Sequence, residues 1–239
     1  MTPRTRAVVA VGVFATLVGG VSAYSLLTDE ITETVLSTDP ASEYQSPPLT
    51  TDDGGVYAFM ATQPDTTDVP VTYDPCETIR VVVNEDRAPD DADDVLDDAL
   101  EQVTDLTGLA FDVVGTTDED PLSDEIRDGD DWRPVQITWT DVDTVPELEG
   151  DVAGLGGSTW IEEDGHRRFV TGDVVLDAED LEVLGSQITT MVLLHELGHL
   201  VGLAHVDSTD ELMHPSSGGP EWGPGDLVGL EALGQGRCA

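Results

Sequence analysis

Apolar and polar positions change their rhythm several times along the chain, and each rhythm predicts an element. Residues Ala7 to Thr28 carry no charge at all. From Thr28 to about Tyr73 the chain turns to Thr, Asp, Ser and Pro, broken by Pro47-Pro48, Pro64 and Pro70, which reads as an exposed linker over 28–73. Within it Val56 to Met60 is apolar enough to form a short strand that docks on the downstream part of the chain. After residue 75 the periods sharpen. The β-branched run Thr78 to Val83 predicts a strand, and Asp91 to Thr107 places Val95, Leu96, Ala99, Val103 and Leu106 on one helical face, with Gly108 as the stop. Leu109 to Val114, Val135 to Thr140, Ser158 to Ile161 and Phe169 to Leu176 read as further strands. Helices are expected from about Leu184 to Val201 and from Asp226 to Leu233, the latter ending at Gly234. No internal repeat is visible. The order, a strand, a helix, a run of strands and then helices, implies an α+β fold around one mixed sheet.

Composition sharpens this picture. The chain has 50 Asp and Glu against nine basic residues, all Arg, for a formal net charge of −41. Such a surface excludes nucleic acid as a partner, because a phosphate polyanion needs a basic face. The carboxylates are interleaved with apolar residues along the whole chain, so they are not a disordered acidic tail. Self-repulsion of this size opposes folding in dilute buffer and is screened at molar salt, where the Debye length falls to about 3 Å. The lysine-free, aspartate-rich composition resembles that of proteins from extreme halophiles such as haloarchaea.

The N-terminus predicts a destination. Arg4 and Arg6 precede the uncharged run, and Asp29 and Glu30 come after it, the polarity of an export signal that leaves the rest of the chain outside. Val21-Ser22-Ala23 offers a cleavage site, and the run is equally long enough to stay as a membrane anchor. Residues 1–27 are therefore expected as a signal peptide or anchor, and the protein as secreted or held at the cell surface. In an exported chain the two cysteines, Cys76 before the first core strand and Cys238 near the C-terminus, are expected to form a disulfide that clamps the ends of the folded domain.

The chemistry concentrates in HELGHLVGLAH, residues 195–205, which holds three of the five histidines. On a helix His195 and His199 emerge from one face about 5 to 6 Å apart and can share a metal ion. Gly202 can end the helix and fold the chain back so that His205 supplies a third imidazole. Three imidazoles and an open fourth position suit a catalytic Zn2+, whereas structural zinc sites are usually closed by Cys. Glu196 flanks the pair, placed to take a proton from metal-bound water rather than to ligate. The lone His166 reads as an exposed turn residue.

These residues, with Glu211-Leu212-Met213-His214-Pro215 downstream of them, resemble the metzincin metallopeptidases, whose long zinc motif precedes a methionine turn. Asp74-Pro75-Cys76, Thr107-Gly108-Leu109 and Gly225-Asp226-Leu227 extend the likeness to the matrixin branch over about residues 74–239. The resemblance implies a zinc metalloendopeptidase domain at 74–239. His195, His199 and His205 would be the zinc ligands, Glu196 the general base, and Met213 the floor of the site. It implies protein or peptide substrates laid beside an edge strand, for which Gly154 to Trp160 is the candidate. By the same likeness Asp173, Asp177 and Glu179 form a candidate Ca2+ set. The chain departs from the animal matrixins in lacking an Arg-Cys-Gly switch and a second histidine cluster, and Pro215 stands where astacin-like enzymes place a tyrosine. His214 is left with either a role at a developing oxyanion or a solvent-facing one. Two other readings stand beside the peptidase: an inactive zinc-binding surface module, which would not need Glu196, and an acidic calcium-binding surface protein, which would leave the histidines unexplained.

Overall fold

The computed structural model describes residues 14–17, 45–123, 126–129, 131–150, 152–216 and 218–238. In chain order its elements begin with strands β1 (Phe14–Leu17), β2 (Leu49–Thr50), β3 (Val56–Tyr57) and β4 (Ile79–Asn84), then helix α1 (Ala92–Thr107). Strands β5 (Phe111–Thr116), β6 (Arg127–Asp128), β7 (Asp131–Trp132), β8 (Val135–Thr140), β9 (Val152–Glu163) and β10 (His166–Asp177) come next. Helices α2 (Ala178–Leu184), α3 (Ser186–Val201) and α4 (Pro224–Leu233) complete the order.

The fold is α+β, as the order of periods implies. A mixed sheet of five strands runs β9-β10-β8-β4-β5, parallel throughout except for the antiparallel β9–β10 hairpin. On the outer side of β9 the short β1 adds antiparallel, with Phe14 opposite Gly156 and Thr16 opposite Gly154. The remaining strands form two small hairpins, β2–β3 and β6–β7.

Burial matches the sequence rhythms. In β4 Ile79, Val81 and Val83 face the core while Arg80 faces out, and the central β8 is buried at all six positions, the pattern of a strand covered on both faces. Helix α1 buries Leu96, Ala99, Leu100 and Val103, with Val95 and Leu106 half-buried beside them, and ends at Gly108 in the left-handed conformation. Helix α3 is different: every residue from Val192 to Val201 is buried. A helix apolar on all sides belongs inside a domain, and α3 lies against β9 and β10 on one side and α1 and α4 on the other.

Three expectations change. The stretch read as an exposed linker is, from Ser46 on, part of the folded domain. Ala58, Phe59, Met60, Ala61, Val71 and Tyr73 are core residues. Their backbone also pairs with the chain beyond α3, Met60 N donating to Gly202 O and Ala204 N to Ala58 O, both at 2.8 Å. Second, the helix expected from Leu184 begins at Ser186, because Gly185, at φ 85°, separates it from α2. Helix α2 itself is hidden in an acidic run, and it is capped by Asp177, whose carboxylate accepts from Glu179 N and Asp180 N. Third, the β6–β7 hairpin has no apolar alternation to announce it.

Cys76 and Cys238 are joined in a disulfide, which ties the entry to β4 to the chain beyond α4. The segment expected as signal or anchor, 1–27, lies outside the described residues apart from Phe14–Leu17. No helix among the described residues is long and apolar enough to cross a membrane.

Candidate active site

The site is built at the C-terminal half of α3. His195 and His199 stand one turn apart and are buried, as is Glu196 between them. Gly202 closes the helix at φ 124°, a conformation L side chains rarely adopt. A methyl group there would also lie 2.9 Å from Leu233 and 3.0 Å from Phe169. The chain then pairs with the 58–60 segment, Phe59 bridging to Leu203, and this contact carries His205 back under the helix.

The three Nε2 atoms form a triangle with every side 3.1 Å. His195 Nδ1 donates to Leu212 O at 2.7 Å and His199 Nδ1 to Leu203 O at 2.8 Å. A carbonyl oxygen only accepts, so each of those rings carries its proton on Nδ1 and turns a bare Nε2 lone pair inward. Lone pairs held this close repel unless a cation lies among them. Burial depresses the imidazolium forms: His195 is lowered to about 4 and His205 to about 3, with His199 well below the ordinary value and held down further by its two neighbours. The rings are therefore neutral donors, the form a metal requires. The donor set, the tautomers and the burial fit Zn2+, and the three form a group able to hold a metal ion.

Glu196 lies against β9. A side chain at Gly156 would collide with the Glu196 carbonyl, and one at Gly154 would come within 2.9 Å of Glu196 Cγ and 3.1 Å of its Oε1. The glycines thus let the strand lie directly on the helix backbone, which puts the expected Gly154–Trp160 edge beside the carboxylate.

Met213 lies beneath α3, where a side chain at Gly198 would meet its Sδ at 2.7 Å. The turn around it is held by two buried carboxylates. Asp226 Oδ2 accepts from Leu212 N at 2.5 Å and from Gly223 N at 3.0 Å. Burial, above all, raises the Asp226 carboxyl to about 6. Glu211 Oε2 accepts from Gly225 N (2.9 Å) and Asp226 N (3.1 Å), and its Oε1 accepts from Val56 N (2.9 Å). In the sequence Glu211 and Asp226 stand out only as letters of a motif. An acidic residue directly before the apolar Leu-Met pair is the one signal that points to Glu211.

Other expected residues separate. Asp173 is engaged by both guanidinium nitrogens of Arg133, at 2.7 and 3.2 Å. Asp177 caps α2, and the exposed Glu179 lies 3.7 Å from Arg87. Each of the three therefore has a separate task, and they do not appear among the metal-capable groups of the described residues. His214 is 3.9 Å from Asp207 and accepts from Ser216 N through Nδ1. It adds to the depression of His195 and His205 without joining the triangle. His166 opens β10, half-buried rather than in an exposed turn.

The sequence model of the matrixin family matches residues 131–221, from the β6–β7 hairpin to just before α4. That part of the chain is thus similar to the matrixins, and it contains all three histidines, Glu196 and Met213. No curated protein matches the chain.

Proposed function

We propose that this chain is a zinc-dependent endopeptidase that acts outside the cytoplasm on protein or peptide substrates. The observation that carries the reading is the triangle of inward Nε2 lone pairs with Glu196 beside it. His195, His199 and His205 would hold the metal, the first two oriented by the Leu212 and Leu203 carbonyls. A bound zinc supplies a Lewis acid and brings the pKa of its water to about 7. Glu196 takes the proton from the attacking water and returns it to the departing amine, as a general base and then a general acid. Its seat against Gly154 keeps the carboxylate beside the scissile bond of a peptide lying along β9. The disulfide and the charge pattern of residues 1–30 support an oxidising, extracytoplasmic setting.

The test is a pair of variants assayed in molar salt. Purified protein should hold about one zinc per chain and digest an unfolded protein until a chelator is added. Glu196→Ala should keep the zinc and lose roughly 10²- to 10⁴-fold in turnover, while His199→Ala should lose both. Wild-type turnover in Glu196→Ala, or a zinc-loaded chain that cleaves nothing across a broad peptide library, would instead favour a non-catalytic zinc module.

A further inference from the structure

Where a helix stops, its last carbonyls lose their amide partners, and the end of α3 treats them unequally. Gly202 N and Leu203 N both reach back to Gly198 O, at 3.1 and 2.8 Å, and Gly202 N also to His199 O at 3.1 Å. This closure serves those two carbonyls and no later one. Leu200 O is the next. In a helix that ran on it would accept from the amide four residues ahead, Ala204 N, but Ala204 N donates to Ala58 O. Leu200 O is met from the sheet instead, where Ser158 Oγ of β9 donates to it at 2.7 Å. A hydroxyl has one proton to give, so Ser158 accepts from Tyr73, whose OH lies 2.7 Å away. Burial pushes the Tyr73 phenol above its ordinary range, which keeps that proton in place. Gly172, opposite Ser158 in the hairpin, leaves the room for this: a side chain there would come within 2.6 Å of the hydroxyl and 2.7 Å of Leu200 Cδ1. The Tyr73 ring lies against Phe169, with 5.5 Å between centroids, and Phe169 borders the Gly202 turn.

We infer that Ser158, backed by Tyr73, is a positioning residue for His205, an inference that rests on reading the three histidines as a zinc site. His205 is the one member of the triangle that stands beyond the helix. Two donors compete for Leu200 O, and they lead to different chains. Held by Ser158, Leu200 O leaves Ala204 N to Ala58, and residues 203–205 turn back under the helix. Without the hydroxyl a buried carbonyl lacks its partner, and the amide that a continued helix would bring to it is Ala204 N. That exchange would extend α3, break the Ala204–Ala58 bond and carry His205 away from His195 and His199. It would also move Leu203 O, the acceptor that orients the His199 ring. Gly202 does not decide between the two paths, because a glycine takes helical and left-handed conformations alike. The choice falls to the side chain that occupies Leu200 O.

Metal affinity and ligand geometry, both read without substrate, test this. Zinc affinity is measured in molar salt by competition with a coloured chelator. The Co2+-loaded chain is followed through its visible d–d bands, which respond to the number and arrangement of ligands. Ser158→Ala should bind zinc about tenfold more weakly, the lower end for residues that orient metal ligands, and should shift the Co2+ bands. Tyr73→Phe, which leaves Ser158 its own bond to Leu200 O, should fall between Ser158→Ala and wild type on both measures. Leu148→Ala, in the core cluster that contains no residue of α3, should lower Tm and leave affinity and bands as in wild type. Wild-type affinity and bands in Ser158→Ala overturn the inference, as does a loss of affinity in Leu148→Ala as large as that in Ser158→Ala. If Ser158→Ala does not fold, Tyr73→Phe decides alone: weaker binding with shifted bands supports the inference, and wild-type values overturn it. A wild-type chain that takes up no zinc fails the zinc reading and this inference together. A chain that binds zinc and cleaves nothing fails the peptidase reading only, and the metal measurements still decide the role of Ser158.

Discussion

Glu211 offers the sharpest test of how the site is held together. Its carboxylate is buried and accepts three backbone N–H groups, from Val56, Gly225 and Asp226, at 2.9, 2.9 and 3.1 Å. These donors belong to β3, to the first turn of α4 and to the residue that fixes the Met213 turn. In Glu211→Ala all three would be left buried without their acceptor. Hydrogen bonds to charged groups are worth about 1.5 to 3 kcal/mol each, partly offset because the carboxylate need no longer be stripped of water. The net loss should be about 3 to 5 kcal/mol, or about 10 °C in Tm for a domain of this size. Glu211→Gln separates acceptors from shape. With its one oxygen turned toward Gly225 and Asp226, its NH2 group faces the Val56 N–H, donor against donor, so one bond is lost and the cost should be about 1 to 2 kcal/mol. Denaturant titration at fixed molar salt measures both, and unchanged m-values would show that the same surface unfolds. An alanine variant within 0.5 kcal/mol of wild type, or a glutamine variant as damaged as alanine, would refute the idea that this carboxylate fastens three elements.

Two further outcomes are expected. Reducing Cys76–Cys238, which closes a loop of 162 residues, should cost roughly 5 kcal/mol on the chain-entropy account, seen as a fall in Tm with reductant; an unchanged Tm would show that the clamp is idle. With a net charge of −41, the melting temperature should rise steeply from dilute buffer to molar salt as repulsion is screened, and a flat or falling curve would remove the case for a salt-adapted surface.

The site is more legible in the sequence than its supports are. His195, Glu196, His199, Gly202 and His205 can be read because one helical turn and one helix end dictate their geometry, which is local. Met213 comes through resemblance. The partners that hold them are distant in sequence: the Leu212 carbonyl on His195, Val56 on Glu211, and the 58–60 segment on Leu203 and Ala204. No periodicity encodes such pairings, and the Thr- and Pro-rich composition of 46–73 points the other way. Strands β4, β5, β8 and β10 and helix α1 lie within a few residues of where the periods put them, since β-branched runs and a 3.6-residue face survive without tertiary knowledge, whereas β9 starts at Val152, six residues before the expected Ser158, through a glycine-rich stretch that has no apolar period. Helix α2 and the β6–β7 hairpin, both polar and short, have no such face.

The pairing of residues 58–60 with residues 202–204 also has a meaning in time. A ribosome makes the chain from its N-terminus, so the segment that fastens the His205 loop is finished long before that loop exists. The turn around Met213 and its anchor Asp226 come later still. Until they emerge His195 lacks the Leu212 carbonyl that orients its ring. If the chain is the peptidase proposed, its zinc motif is translated before the turn and the Asp226 carboxylate that support it, so the cutting centre is completed only after residue 226 has been made.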